Sequence, residues 1–304
     1  MRFALSTSWN ASRHKNGKEM IFEIEQLGFD TVELSFNLGP IMVSQVSELV
    51  EKGQVKVSSV HNYCPIPQGF SREEALPDCF SMSSLDETER RNSLKYTKLS
   101  IDAAVNLNAK AVVLHCGRVE IKDRTRDLIN LCGLNNKGTP EFVSLREDIV
   151  SERNNLAGKY FEKALLSLDE LNAYAKKRDI LLGVETRFYY REIPSFEEIG
   201  LILKKFHGSN VFYWHDTGHA QLMENLGLRK HLDFLNSYAT SMLGIHLHDI
   251  TGCRDHQAPS SGELDFKILL PYLKEDTIKV IEAHYPSTPQ EILKAKKFLE
   301  DNFK

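Results

Sequence analysis

Short apolar runs rich in β-branched residues recur along the chain, at residues 3–6, 31–34, 57–61, 111–115, 181–185, 211–216, 244–248 and 278–282. Each has the length and composition of a strand. Stretches with helical periodicity follow them, at 18–27, 43–51, 88–107, 155–177, 195–206, 229–239, 266–273 and 288–302. Eight strand–helix repeats predict a closed (β/α)8 TIM barrel, because near-continuous apolar strands such as Ala111 to Leu114 need cover on both faces. A doubly wound open sheet is the alternative. It is weakened because no G-x-G-x-x-G or Walker sequence follows the first strand.

Two connections exceed the usual few residues, at about 62–87 and 116–141, and both follow a strand. In a barrel they lie over the C-terminal face, where they are expected to act as a lid or substrate wall. No linker or low-complexity run interrupts the pattern, so residues 1–304 are read as a single TIM-barrel domain.

Composition narrows the class without naming a function. Hydrophobic residues make up 41% and charged residues 26%, enough to exclude disorder, and 38 basic against 42 acidic residues give a net charge of −4. That balance supplies no global pull toward nucleic acid or an anionic membrane, so neither is expected as a partner. No apolar run approaches the ~20 residues needed to cross a bilayer, and the first residues carry no targeting segment. Five cysteines without paired C-x-x-C spacing argue against a disulfide scaffold, so the protein is expected to be soluble and cytoplasmic.

The chemistry concentrates at strand ends. Strand after strand finishes in an acid or a histidine: Glu33, His61, His115, Glu185, Asp216, His246 with His248, and Glu282. Eight of the 11 histidines lie at or just beyond these ends, including His215, His219, His256 and His284. Any one is more often a hydrogen-bonded structural residue than a ligand, but carboxylates converging at a barrel mouth cost several kcal/mol each, and a divalent cation makes them mutually tolerable. Alternation places Glu185 on the face of Gly183, expected to leave space beneath a site, and Glu282 on the face of Val280. His215 and Asp216 point to opposite sides, which favours Asp216 as ligand. A sharp turn at Gly218 is expected to return His219 to the pocket that Asp216 faces.

These residues resemble the xylose-isomerase-like TIM-barrel superfamily, which holds sugar isomerases, ketose 3-epimerases, inosose dehydratases and endonuclease IV. The motifs that carry the resemblance are Val57-Ser58-Ser59-Val60-His61, Val112-Val113-Leu114-His115-Cys116-Gly117, Val184-Glu185-Thr186-Arg187, His215-Asp216-Thr217-Gly218-His219-Ala220, His246-Leu247-His248-Asp249 and Ile281-Glu282. The resemblance implies a metal set of Glu185, Asp216, His246 and Glu282. Three carboxylates and an imidazole suit Mn²⁺, Co²⁺, Zn²⁺ or Mg²⁺. It further implies Glu185 and Glu282 as catalytic acid and base, and His219 as a substrate-binding residue. His61, His115, Arg187, His248 and His256 are added as substrate contacts.

The implied activity is a divalent-metal-dependent sugar or sugar-phosphate isomerase or epimerase, working by proton transfer through an enediolate on a small-molecule carbohydrate. A metal-dependent sugar or cyclitol lyase or dehydratase is the first alternative. The second is an endonuclease IV-like AP endonuclease, whose trinuclear zinc set falls on His61, His115, Glu185, Asp216, His219, His246, Asp255, His256 and Glu282. Against it stand an Asp255-His256 pair without the family's spacer and the lack of a basic stripe. A non-catalytic binding module and a homo-oligomer both stay open. The ketose 3-epimerases place Asn-Arg-Phe-Glu after the metal glutamate, whereas Thr186-Arg187-Phe188-Tyr189-Tyr190-Arg191 lacks the second acid. Arg187 and Arg191 are expected to grip a phosphate or carboxylate or to lie on the surface.

Overall fold

The computed structural model describes residues 2–133 and 137–303. Eight parallel strands close into a barrel: β1 (Ala4–Ser6), β2 (Thr31–Leu34), β3 (Lys56–His61), β4 (Ala111–Leu114), β5 (Leu181–Glu185), β6 (Val211–Asp216), β7 (Met242–Leu247) and β10 (Ile278–Ile281). β1 pairs with both β2 and β10, which closes the ring. After β7 the chain adds an antiparallel hairpin, β8 (Asp249–Thr251) and β9 (Arg254–Gln257), that no periodicity announced.

The helices begin where the sequence supplies caps. α1 (Gly17–Gln26) is capped by Asn16, α2 (Pro40–Glu51) opens on proline, and α3 (Glu87–Asn106) is capped by Asp86. α6 (Phe196–Lys205) and α9 (Pro289–Asn302) each carry a reciprocal capping box, Ser195 with Glu198 and Thr288 with Glu291. α8 (His231–Tyr238) lies within its expected span, while the expected helix at 266–273 is a 3-10 helix, Phe266–Tyr272.

The segment at 116–141 departs from the expected loop. It contains α4 (Thr125–Gly133), and α5 (Pro140–Lys176) starts inside it, 15 residues before the expected 155. Thr139 caps α5 and Pro140 stands at its first turn, a start signal that outweighs the polar composition of the helix's first turns. Residues 134–136 of that expectation lie outside the described residues.

Between barrel and helices lies the main apolar layer, and a smaller cluster of Ala4, Ala111, Val113, Trp214, Leu243 and Val280 fills the barrel itself. Trp214 is fully buried, a burial that contributes roughly 4–6 kcal/mol as an upper estimate. Its ring occupies the space left by Gly183 and Gly244: a Cβ on Gly183 would sit 2.7 Å from the ring, and one on Gly244 closer still. Gly183 therefore does not leave a void beneath a site, as the sequence suggested; it admits the indole that forms the floor. His246 rests on that floor, ring centroids 5.2 Å apart.

Candidate metal centre

Glu185, Asp216, His246 and Glu282 come from four neighbouring positions around the ring, β5, β6, β7 and the residue after β10, and all are buried. Each offers a ligand atom, and these atoms lie within 4.8 Å of one another. His246 Nδ1 stands 2.6 Å from Glu185 Oε1, 3.0 Å from Glu282 Oε2 and 3.7 Å from Asp216 Oδ2. One ring nitrogen carries one proton, so it cannot satisfy three carboxylates. Three buried carboxylates around a single imidazole nitrogen are the donor set a divalent cation compensates.

The tautomer supports the same fit. Both oxygens of Glu33, at the end of β2, lie 3.1 Å from His246 Nε2, and Glu33 Oε2 accepts a 2.7 Å hydrogen bond from Ser59. With a cation in place, His246 would donate through Nε2 to Glu33 and present the Nδ1 lone pair to the ion, the carboxylate–histidine support common behind metal ligands. Without a cation, burial opposes charging of His246, but Glu282 and Glu33 outweigh it and hold its pKa well above the usual range. Burial likewise opposes ionisation of Glu185 and Asp216; imidazoles of His115, His246 and His61 on the first, and His219 and His248 on the second, hold both well below it.

Asp216 caps α7 (Thr217–Asn225), accepting from the His219 backbone N–H at 2.7 Å. This start of a helix, not a turn at Gly218, brings His219 to the pocket. Gly218 has a different task, because a Cβ there would overlap the His248 ring. His248 Nε2 meets Asp216 Oδ1 at 2.8 Å, and its Nδ1 accepts the His256 backbone N–H at 2.9 Å. Both nitrogens are thereby occupied and the residue is fully buried. His248 consequently supports Asp216, and it is not among the residues that line the cavity above the cluster, where a substrate contact was expected.

Above the cluster opens a cavity of about 390 Å³, whose lining includes Glu185, Glu282, His61, His115, His219 and His256. The 62–87 connection contributes Leu76, Pro77 and Asp78 to its wall, and the 116–141 segment contributes Arg118, Asp123 and Arg126. His115 Nε2 lies 2.8 Å from Glu185 Oε2, and His61 Nε2 lies 3.8 Å from the same oxygen. His219 Nδ1 bonds the Thr186 carbonyl at 2.9 Å, so Nδ1 holds the proton and Nε2 is left toward the cavity. His256 pairs with Asp255 at 2.8 Å; burial opposes its charging, yet Asp255 raises its pKa to about 9. His284, noted in the sequence but given no role, stacks on His256 with centroids 3.9 Å apart. His215 stays off the site, bonded to Tyr213 and His231.

Arg187 is not a surface residue: it lines the cavity, and its guanidinium is already engaged by carboxylates of the chain. It is buried, with Nη1 2.6 Å from Glu185 Oε2 and Nη2 3.1 Å from Glu192. Glu192 supplies, five residues after Arg187, an acid that the local motif lacked. Burial and the neighbouring Asp78 push its pKa up to about 7, while His115 and Arg187 overcome burial to hold Asp78 below the carboxylate range. Glu33, Asp78 and Glu192 are acids of the site that the sequence left unassigned. Glu33 was visible as a strand-end acid; Glu192 carried no signal beyond its charge.

The profile of the xylose isomerase-like TIM barrel family matches residues 21–302, and the chain belongs to that family. Among solved structures, a D-tagatose 3-epimerase-like protein superposes with TM-score 0.70 at 19% identity, covering 99% of this chain and 97% of its own. The 3-keto-D-glucoside 4-epimerase YcjR from E. coli gives 0.69 at 16%, covering 99% of each chain. An IolI protein with a bound zinc atom gives 0.68 at 15%, covering 100% of this chain and 98% of its own. No curated protein matches the sequence. Among the described residues, no helix is long and apolar enough to cross a membrane.

Proposed function

We propose that the protein is a divalent-metal-dependent isomerase or epimerase of a small sugar or sugar phosphate. The observation that carries this is the set Glu185, Asp216, His246 and Glu282, buried on four strands and opening into one cavity. A cation held there supplies Lewis-acid polarisation of a substrate carbonyl and its neighbouring hydroxyl, which lowers the pKa of the C–H between them.

The chain's own groups do the proton transfer. Glu282 lines the cavity, pairs with His246 through Oε2 and removes the proton from one side. Glu185 keeps Oε1 toward the cluster while His115 and Arg187 fix Oε2, which sets it on the other side, where it returns a proton taken up from solvent through His115. His219, through Nε2, and His61 and His256 orient hydroxyls. Epimer or aldose–ketose isomer forms through an enediolate; with a leaving group β to the carbanion, elimination results. The reading is supported by the likeness to sugar epimerases, which by itself speaks to the fold.

Turnover of a ketose panel in D₂O with added Mn²⁺ tests it. Solvent deuterium enters at the reacting carbon, and Glu282→Gln lowers kcat by about 10²–10⁴-fold. Label passed directly between carbons defeats the reading. One observation favours a second: His61, His115 and Glu185 also place ligand atoms within 4.8 Å of one another, room for a further ion as in multinuclear hydrolases. Two or three ions per chain, with cleavage of abasic DNA lost in His115→Ala, would establish that reading instead.

A further inference from the structure

Outside the barrel, behind the wall of the centre, a second cavity of about 470 Å³ lies between α5, the start of α6, the 186–196 connection and the turn from α7 to α8. Its volume is in the range that holds a small organic ligand. Arg187, Tyr189 and Glu192 line both this cavity and the mouth, so the two share one wall.

The charges here do not balance. Arg153 pairs with Glu198 at 2.6 Å, Arg187 with Glu192 at 3.1 Å, and Arg229 with Glu197. Arg146, also in the lining, has no carboxylate or hydrogen-bond partner among the described residues. Arg153 is 98% buried, yet its Nε has no acceptor. A buried guanidinium nitrogen without a partner carries a desolvation cost that a bound acceptor relieves. The rest of the wall mixes the aromatic and apolar side chains of Phe196, Phe234, Tyr190, Val150 and Met223 with polar Asn154, Thr186 and Ser195.

We propose that this cavity is a second ligand site, for a small organic anion whose carboxylate or phosphate meets Arg146 and Arg153 and whose ring lies against Phe196 and Phe234. The inference needs no metal and goes beyond the isomerase reading. Its occupant abuts the segment that holds Arg187 on Glu185, since Arg153 Nη2 also donates to the Glu192 carbonyl at 2.9 Å.

Calorimetric titration of the full chain with benzoate, phenyl phosphate and neutral benzyl alcohol tests the site and separates carboxylate from phosphate. At least one anion binds saturably with Kd of about 1 mM or tighter, and benzyl alcohol binds at least about 10-fold more weakly. Arg146→Gln weakens the anion about 10-fold or more, as expected for loss of a charge-assisted contact. Val150→Trp, which fills the cavity, abolishes binding; Arg146→Gln, at a half-exposed position, keeps the test sound if the tryptophan variant misfolds. Absence of saturable binding by both anions overturns the proposal. So does an affinity that ignores Arg146→Gln but falls on Glu282→Gln, which would place the anion in the mouth.

Discussion

Gly218 offers a sharp test of how the centre is built. In an exposed helix, Gly→Ala stabilises by up to ~1 kcal/mol. Here the added methyl would lie 3.1 Å from His248 Nε2 and closer to Nδ1 and Cε1, so the ring must swing away. Leaving its place, His248 loses the 2.8 Å bond to buried Asp216, worth ~1.5–3 kcal/mol, and strands the His256 N–H, worth ~1 kcal/mol. The net expectation is a destabilisation of about 2–3 kcal/mol, which for a chain of this length lowers Tm by roughly 3–5 °C. Thermal melts followed by circular dichroism read it. In a His248→Ala background the obstacle is gone, and the same Gly218→Ala change should be neutral or stabilising by up to ~1 kcal/mol. Equal effects in both backgrounds, or a Tm that rises in the otherwise native protein, would refute the assignment of Gly218 to ring clearance.

Glu33→Gln keeps the shape behind His246 but removes the charge, so Mn²⁺ or Zn²⁺ affinity should fall about 10–100-fold in a chelator competition; an unchanged affinity means Glu33 plays no supporting part. Glu192, with its pKa raised from 4.5 to about 7 in the fold, binds its proton more tightly there than when unfolded, so its contribution is full below about pH 4.5 and is lost as pH rises toward 7. Stability should fall by about 3 kcal/mol across that window relative to Glu192→Gln, and parallel pH–Tm curves for the two proteins would contradict the shift. Asp78, shifted the other way, loses its contribution only as pH falls below its ordinary range. Gly244→Ala should overpack the Trp214 floor and cost about 1–3 kcal/mol in urea unfolding; a neutral result would show that the indole has room to move.

Local signals were sufficient for the frame. The eight strand runs stand where their apolar, β-branched composition put them, and helices with strong caps, such as Ser195 with Glu198 and Thr288 with Glu291, begin within a residue of expectation. A period of two also placed Glu185 and Asp216 on the inward face. Where two local tendencies compete, the reading failed. Asp216-Thr217-Gly218-His219 looks like a turn because glycine disfavours helices, yet Asp216 caps α7 there and the His248 ring demands the glycine. Closure of the barrel decided the rest. Glu33 meets His246 across 213 residues of sequence, Trp214 fits only between glycines of two flanking strands, and Glu192 meets Arg187 because the chain after β5 doubles back. Such partners are chosen by distance in space and by the cost of leaving a buried charge alone, quantities that exist only once the ring has formed.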